Sequence, residues 1–385
     1  MANRAIKYRI YPTAEQAVFF AKTFGCCRKV YNLMLSDKIE SYNTTGKFVS
    51  VTPAKYKKDY PFLKEVDSLA LANVQMNLQT AFANCFDKTR KLKNGFPKYK
   101  SSKHSRKSYT TNCQYPKSSN KLKRPTIRLE DNKIILPKAG AVKVKLHRQP
   151  ERNWILKSVT ISQDSDGKFY ASVLFEYDMD VIPVSKTSTK AVGLDYKSDG
   201  LYVDSNGIKA DMPKYYRKNS KKLAKEQRRL SRKTGSKKNE TKSNNYLKQL
   251  KKVNKIHRHT TNQRLDYLHK KSTEIANQYD VVCVETLHMK AVANKGFGNG
   301  KATLDNGYGL FLEMLRYKLH ERGKYLVKVD KWYPSSQLCS NCGSRKKLSL
   351  GERIYQCSCG INIDRDYNAA INIKKEGLRL LYTEV

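Results

Sequence analysis

Acidic residues are scarce in this sequence. Its 385 residues hold 34 Asp and Glu against 76 Lys and Arg, a formal net charge of +42. A chain so charged repels itself, and its natural partner is a polyanion, nucleic acid first of all. Long apolar runs are absent as well. No stretch reaches the roughly 18 residues that a membrane span needs. A membrane-surface role would call for a basic helix with a strong apolar face, whereas here the charge runs from end to end. The start MANRAIKYRIYP has no apolar core behind its charges, so it does not read as a signal peptide. A cytoplasmic protein with no membrane partner is expected. No Ser/His/Asp or Cys/His pairing for nucleophilic catalysis stands out. The run KGFGNGKAT (295–303) fails as a phosphate loop, because Lys295 replaces its first glycine and Ala302 its Ser/Thr. It reads better as a lid. HRH at 257–259 is broken by Arg258 and lies on a polar helix. A ribosomal or histone-like binder remains the simplest alternative.

What is present divides the chain. Residues 4–11 alternate and predict a short edge strand. TAEQ then opens a helix, with Thr13 as N-cap and Gln16 completing a capping box, and a break is expected near Gly25. A second helix follows Ser68, with Leu71, Val74, Leu78, Phe82 and Cys85 on one stripe. Residues 95–125 are rich in Lys, Ser and Pro. They read either as a disordered linker or as a nucleic-acid contact in which Phe96, Tyr99, Tyr109 and Tyr115 offer faces to bases. From 126 to 178 the period is two, with hairpins at Asp131-Asn132 and Asp166-Gly167. This predicts a small β-barrel domain. If the strand at 4–11 joins it, the helical module is an insertion. After a linker at 179–190, strands and helices alternate. Hairpin strands from AVGLDY are followed by a very basic helix over 214–234 and a long polar helix over 242–278. Then come a buried strand in YDVVCVETL, a helix near 308–322 and a strand at 325–333.

Three carboxylates stand out in that second half. Asp195 follows AVGL, and Glu285 follows VVCV. A carboxylate inside a buried strand is costly unless a cation or metal offsets its desolvation. Asp366 opens the helix DYNAAINI, with Ala369, Ala370 and Ile373 on its side. It reads as an N-cap or as a third ligand. Asp364 falls outside that periodicity. Three acids from two strands and a helix start suit the edge of a ribonuclease-H-like sheet. There they would share two Mg²⁺ ions for phosphodiester hydrolysis.

The nine cysteines do not form a disulfide framework. Cys26, Cys27, Cys85, Cys113 and Cys283 are scattered and read as buried thiols. Cys339, Cys342, Cys357 and Cys359 cluster as CSNC and CSC, with Gly343 and Gly360 directly after each pair. Two thiolate pairs on turns predict a structural zinc ribbon, four free thiols being the competing reading. The second pair is CxC rather than CxxC, which tightens that knuckle without removing a ligand.

Taken together, RIYPTAEQ, FGCCRKVYN, GFPKYKS, GLDYKSDGLYVDSNG, VVCVETLHMK, YPSSQLCSNCG and CSCGINIDRDYNAAINI resemble the TnpB (OrfB) family over nearly the whole chain. These are RNA-guided nucleases of bacterial and archaeal insertion sequences, ancestral to type V CRISPR effectors. The resemblance implies a multi-domain α+β and α/β protein. A wedge-type β-barrel (1–11 and 120–180) would carry an inserted helical recognition lobe with the basic segment (12–119). A split RuvC nuclease (181–334 and 363–385) would carry the zinc ribbon (335–362). It assigns Asp195, Glu285 and Asp366 as the Mg²⁺-binding catalytic acids and the four clustered cysteines as Zn²⁺ ligands. The implied partners are an omega RNA guide from the element's own end and double-stranded DNA cut beside a short motif. The residues reading that motif are expected on the helix Leu69–Phe86 and the β-domain. The rival functions are a catalytically silent RNA-guided repressor and a transposase or transposase accessory protein.

Overall fold

The computed structural model describes residues 1–89, 95–103, 105–117, 122–179, 181–237, 240–289, 305–349 and 351–383. The expected lid at 295–303 lies outside them. Two compact units, Met1–Met179 and Asp180–Val385, divide the chain. No described helix is long and apolar enough to cross a membrane.

The first unit centres on a seven-stranded sheet. In chain order its strands are β1 (Ala2–Tyr11), β2 (Lys107–Asn112), β3 (Arg128–Glu130), β4 (Lys133–Leu136), β5 (Gly140–Lys145), β6 (Ile155–Gln163) and β7 (Phe169–Tyr177). The spatial order is β2-β6-β7-β1-β5-β4-β3, with every pairing antiparallel. The outer strands do not pair, although the chain beyond β2 bonds to the chain before β3 through Gln114 and Thr126, so the sheet is a half-barrel. Asp131 and Asn132 both take positive φ, as a tight two-residue hairpin requires.

Three expectations change here. The first strand joins the β-domain as predicted, but at its centre rather than its edge. One face (Ile6, Tyr8, Ile10) is buried, while the cations of the other lie over an aromatic ring, Lys7 at 4.3 Å and Arg9 at 5.2 Å from Tyr170. The helix α1 (Ala14–Thr45) is continuous through Gly25. Its buried stripe runs on through Phe24, Cys27, Val30, Tyr31 and Met34, and packing outweighs the ~1 kcal/mol cost of one glycine. The predicted capping box is formed, with Thr13 and Gln16 bonded reciprocally. Third, the basic segment supplies β2. Tyr109 is buried against Phe20 and Phe24 and is no platform for bases. The Tyr115 hydroxyl is tied to the Leu156 carbonyl, whereas Phe96 and Tyr99 are exposed. The second helix, α2 (Ser68–Phe86), is capped by Asp67, whose carboxylate also receives the buried Thr111 hydroxyl of β2.

The second unit is a three-layer sandwich around a five-stranded sheet. Its strands are β8 (Ala191–Tyr196), β9 (Tyr202–Asp204), β10 (Lys209–Ala210), β11 (Val281–Glu285) and β12 (Tyr325–Val329), ordered β10-β9-β8-β11-β12. The hairpin strands run antiparallel, and β8, β11 and β12 run parallel. Val192, Leu194, Val282 and Val284 face α4 (Asn244–Gln278) and α5 (Tyr308–His320), while α3 (Tyr215–Ser231) packs along α4. Ala191, Val281 and Cys283 face the last helix, α6 (Arg365–Thr383). The strands β13 (Ile354–Gln356) and β14 (Asn362–Asp364) form a separate hairpin leading into α6.

Candidate carboxylate edge and cysteine centre

Two glycine contacts set the acidic edge. A side-chain carbon on Gly193 of β8 would collide with the Ala370 carbonyl of α6, and one on Gly377 of α6 would collide with Cys283 of β11. The helix therefore lies directly on the two strands. Side chains alternate along a strand, so Asp195 shares the face of Gly193, and Glu285 shares the face of Cys283. Leu194 pairs with Val284, which places Asp195 and Glu285 on the next rung. Asp366 lies one helical turn before Ala370, toward the same end.

The electrostatics agree with that placement. Burial raises the Asp195 carboxyl well above its ordinary range, and the charges of Glu285 and Asp366 raise it further, against a smaller opposing effect of Arg365. Burial also raises Glu285, although its Oε1 accepts a 3.4 Å hydrogen bond from the Tyr196 N–H. No ion pair to any of the three carboxylates is found among the described residues. Asp364 has a different role. Its Oδ1 caps α6 by accepting from the Asp366 and Tyr367 N–H groups, and its Oδ2 meets the Lys209 ammonium at 2.7 Å. The N-cap is thus Asp364, which leaves Asp366 for the acidic edge. Asp195 thus senses both other carboxylates, yet the three are not drawn into ligand distance. Among the described residues only the cysteines form so tight a group.

All four cysteine sulfurs lie within 4.8 Å of one another. The Cys339–Cys359 and Cys342–Cys357 Sγ separations are both 3.5 Å. A tetrahedral zinc with bonds of about 2.3 Å has edges of about 3.8 Å, so the donor set fits that ion. The Cys359 N–H and the Ser344 hydroxyl bring the Cys357 thiol down to about 5, while burial lifts Cys339 to about 11. Tyr355 is buried in the ribbon and donates to the Gln337 and Ser344 carbonyls. The ribbon is also fastened to α6. Asn368 and Asn372, both buried, bond the backbone of Ser335, Leu338 and Ser340. Sequence reasoning missed this pair. Its signal was two amides four residues apart on the packed face of DYNAAINI.

Two basic surfaces accompany these sites. An open groove on α3 is lined by Lys221, Lys225, Arg228, Arg229 and Arg232. In the first unit a cavity of about 240 Å³ between α1, α2 and β2 is lined by Arg28, Asn73, Asn77, Lys100 and Arg106, among others.

Three family models match the chain. Residues 1–47 match a "Helix-turn-helix domain", 174–295 a "Probable transposase" and 308–373 a "Cas12f1-like, TNB domain". The first description does not fit the structure here, since one strand and one unbroken helix fill residues 2–45. A protein of Streptomyces pristinaespiralis, with the provisional name RNA-guided DNA endonuclease, is 36% identical over 98% of this chain and 90% of its own. Another of Escherichia coli K12, InsQ, carries the same provisional name and is 29% identical over 98% and 93%. Among solved structures, Cas12f1 from a complex with guide RNA and target DNA shares the fold at a TM-score of 0.56 and 13% identity, over 97% of this chain and 98% of its own. Identity at that level over nearly its full length means that this chain belongs to the TnpB (OrfB) family.

Proposed function

We propose that this chain is an RNA-guided, Mg²⁺-dependent endonuclease of a transposable element that cuts double-stranded DNA beside a short motif. The observation that carries the proposal is the shared rung of Asp195 and Glu285, with Asp366 on their contact helix one turn before the Ala370 carbonyl that meets Gly193. Oxygen-only donors suit Mg²⁺. The raised proton affinity of Asp195 is the mark of a buried acidic group whose charge a cation would offset. When bound, two such ions supply an activated water and a stabilised leaving oxygen. The chain's own residues do the rest. Asp195, Glu285 and Asp366 hold the ions, the Tyr196 N–H orients Glu285, and Asp364 keeps the α6 terminus in place. The four cysteines hold a structural zinc.

The seven-stranded sheet would serve as the wedge domain, α1 and α2 as the recognition lobe, and residues 335–362 as the ribbon inserted in the RuvC unit. The α3 groove would hold nucleic-acid backbone through charge. The cavity beside α2 offers amides of the type that pair with adenine edges, Asn73 and Asn77, flanked by cations that meet phosphate. It is our candidate for the motif-reading cleft. The names of the two long relatives support the guided-endonuclease reading.

The test is to co-express the protein with the DNA directly downstream of its gene, purify the complex, and add Mg²⁺ and a plasmid bearing a guide-matched target beside a randomised flank. Wild-type protein is expected to cut beside one enriched flank. Asp195→Ala is expected to lose at least about 10³-fold in cleavage while RNA and target binding stay nearly intact. Enriched binding without cutting by the wild type would replace this reading with the silent repressor.

A further inference from the structure

We propose that Asn368, Asn372 and Lys375 of α6 are positioning residues through which the metal state of the cysteine ribbon sets the placement of Asp366. The inference rests on the reading of Asp366 as a divalent-ion ligand and goes beyond it.

Asn368 and Asn372 are 0% and 3% exposed. A buried amide is tolerated only when its hydrogen bonds are made, and the two residues make theirs with the ribbon backbone. Asn368 Oδ1 accepts from the Ser340 N–H at 2.9 Å, and its Nδ2 donates to the Leu338 carbonyl at 2.7 Å. Asn372 Nδ2 donates to the Ser335 and Leu338 carbonyls at 2.8 and 2.7 Å. Lys375 Nζ donates to the Ser340 carbonyl. The gripped residues, Leu338 and Ser340, flank Cys339, the most buried of the four thiols.

The ribbon holds the helix start from a second side. Arg365 donates its N–H to the Arg353 carbonyl at 2.8 Å and its guanidinium to the Ser349 carbonyl at 3.0 Å. The strand β14 pairs with β13 and ends at Asp364, the cap of α6. Asp366 therefore sits between two attachments to one small module. That module has few apolar residues of its own, and such modules commonly depend on their metal for folding. Releasing the metal loosens the backbone at 338–340 and 349–353, and with it the first turn of α6. Thermodynamic linkage makes the coupling reciprocal, so zinc loading and divalent-ion affinity at the acidic edge rise together.

The test measures Mn²⁺ binding by electron paramagnetic resonance on the purified complex, with zinc content measured on the same samples. Wild type, Asp366→Asn, Asn372→Ala, Lys375→Met and Lys375→Arg are compared. Asn372→Ala should keep its zinc yet lose about tenfold in Mn²⁺ affinity, within the usual range of coupling between sites. Lys375→Met removes a single bond from an exposed position, so it should fold and show a smaller loss, which Lys375→Arg restores. Rescue by arginine is a result that a purely structural role would not give. Zinc-loaded Asn372→Ala and Lys375→Met with wild-type Mn²⁺ affinity would overturn the coupling alone, provided that Asp366→Asn weakens binding. If Asp366→Asn binds Mn²⁺ like the wild type, both the coupling and the acidic-site reading fall.

Discussion

The second unit contains two groups of metal-type ligands built in opposite ways. The cysteines come from one stretch of chain between positions 339 and 359, where tight turns, the β13–β14 hairpin and Tyr355 bring them together. The carboxylates come from two strands and a helix, so only the completed sheet makes them neighbours. Their chemistry differs in the same sense. Thiols are largely neutral until a metal or a hydrogen bond draws off the proton, so four of them can crowd without repulsion. Three carboxylates cannot, and burial, with the charges of Glu285 and Asp366 adding to it, raises the proton affinity of Asp195. The first site rests on its own short stretch of chain, whereas the second rests on the packing of the whole sheet and α6.

Breaking the local site should have the largest effect on the protein as a whole. Cys342→Ser removes one ligand from a module whose folding draws on metal binding. The purified variant should have lost most of its zinc and be recovered in lower soluble yield. Full yield with no zinc would mean that the ribbon folds on Tyr355 and its hairpin alone. A steric change sharpens the contrast from the other side. Gly193→Val pushes α6 away from β8, at a cost of about 1–3 kcal/mol or more for overpacking. It should lower the melting temperature and weaken Mn²⁺ binding while zinc content stays at the wild-type level. Parallel loss of zinc would show that displacing α6 also empties the ribbon, through the bonds of Asn368, Asn372 and Lys375.

The same contrast explains what could be read from the chain. Cysteine spacing with a glycine after each pair is local, and the structure returns that cluster intact. Asp195 and Glu285 were visible because each follows an apolar run that must be a buried strand. The division of labour between Asp364 and Asp366 was not legible, since both open the same helix and only the Lys209 contact and the capping bonds separate them. Alternation along residues 4–11 fits an edge strand and a central one equally well. A sheet with one wet face lets a central strand keep its cations. The strand β2 was hidden by its Lys- and Ser-rich surroundings, and its buried positions Tyr109 and Thr111 acquire meaning only against α1 and α2.

The smallest predicted effect isolates the cost of ionising the acidic edge. In the folded protein without divalent ions, Asp195 holds its proton to a higher pH than in the unfolded chain, where it titrates near its ordinary value. Below that ordinary value both states are protonated and the carboxyl costs nothing. As pH rises through the raised folded value, the native state must ionise a buried group beside Glu285 and Asp366, and stability is lost. Asp195→Asn removes that titration. With divalent ions chelated, the variant should therefore melt higher than wild type at pH 8, by about 2–4 °C, the shift that about 1 kcal/mol produces in a unit of this size. The gap should close toward pH 4. Added Mg²⁺ should raise the wild type more than the variant and narrow the difference at pH 8. Thermal melts of both proteins at the two pH values, with and without Mg²⁺, decide the matter. A gap independent of pH would mean that the substitution acts through packing, and that the cost of ionising Asp195 does not weigh on the native state.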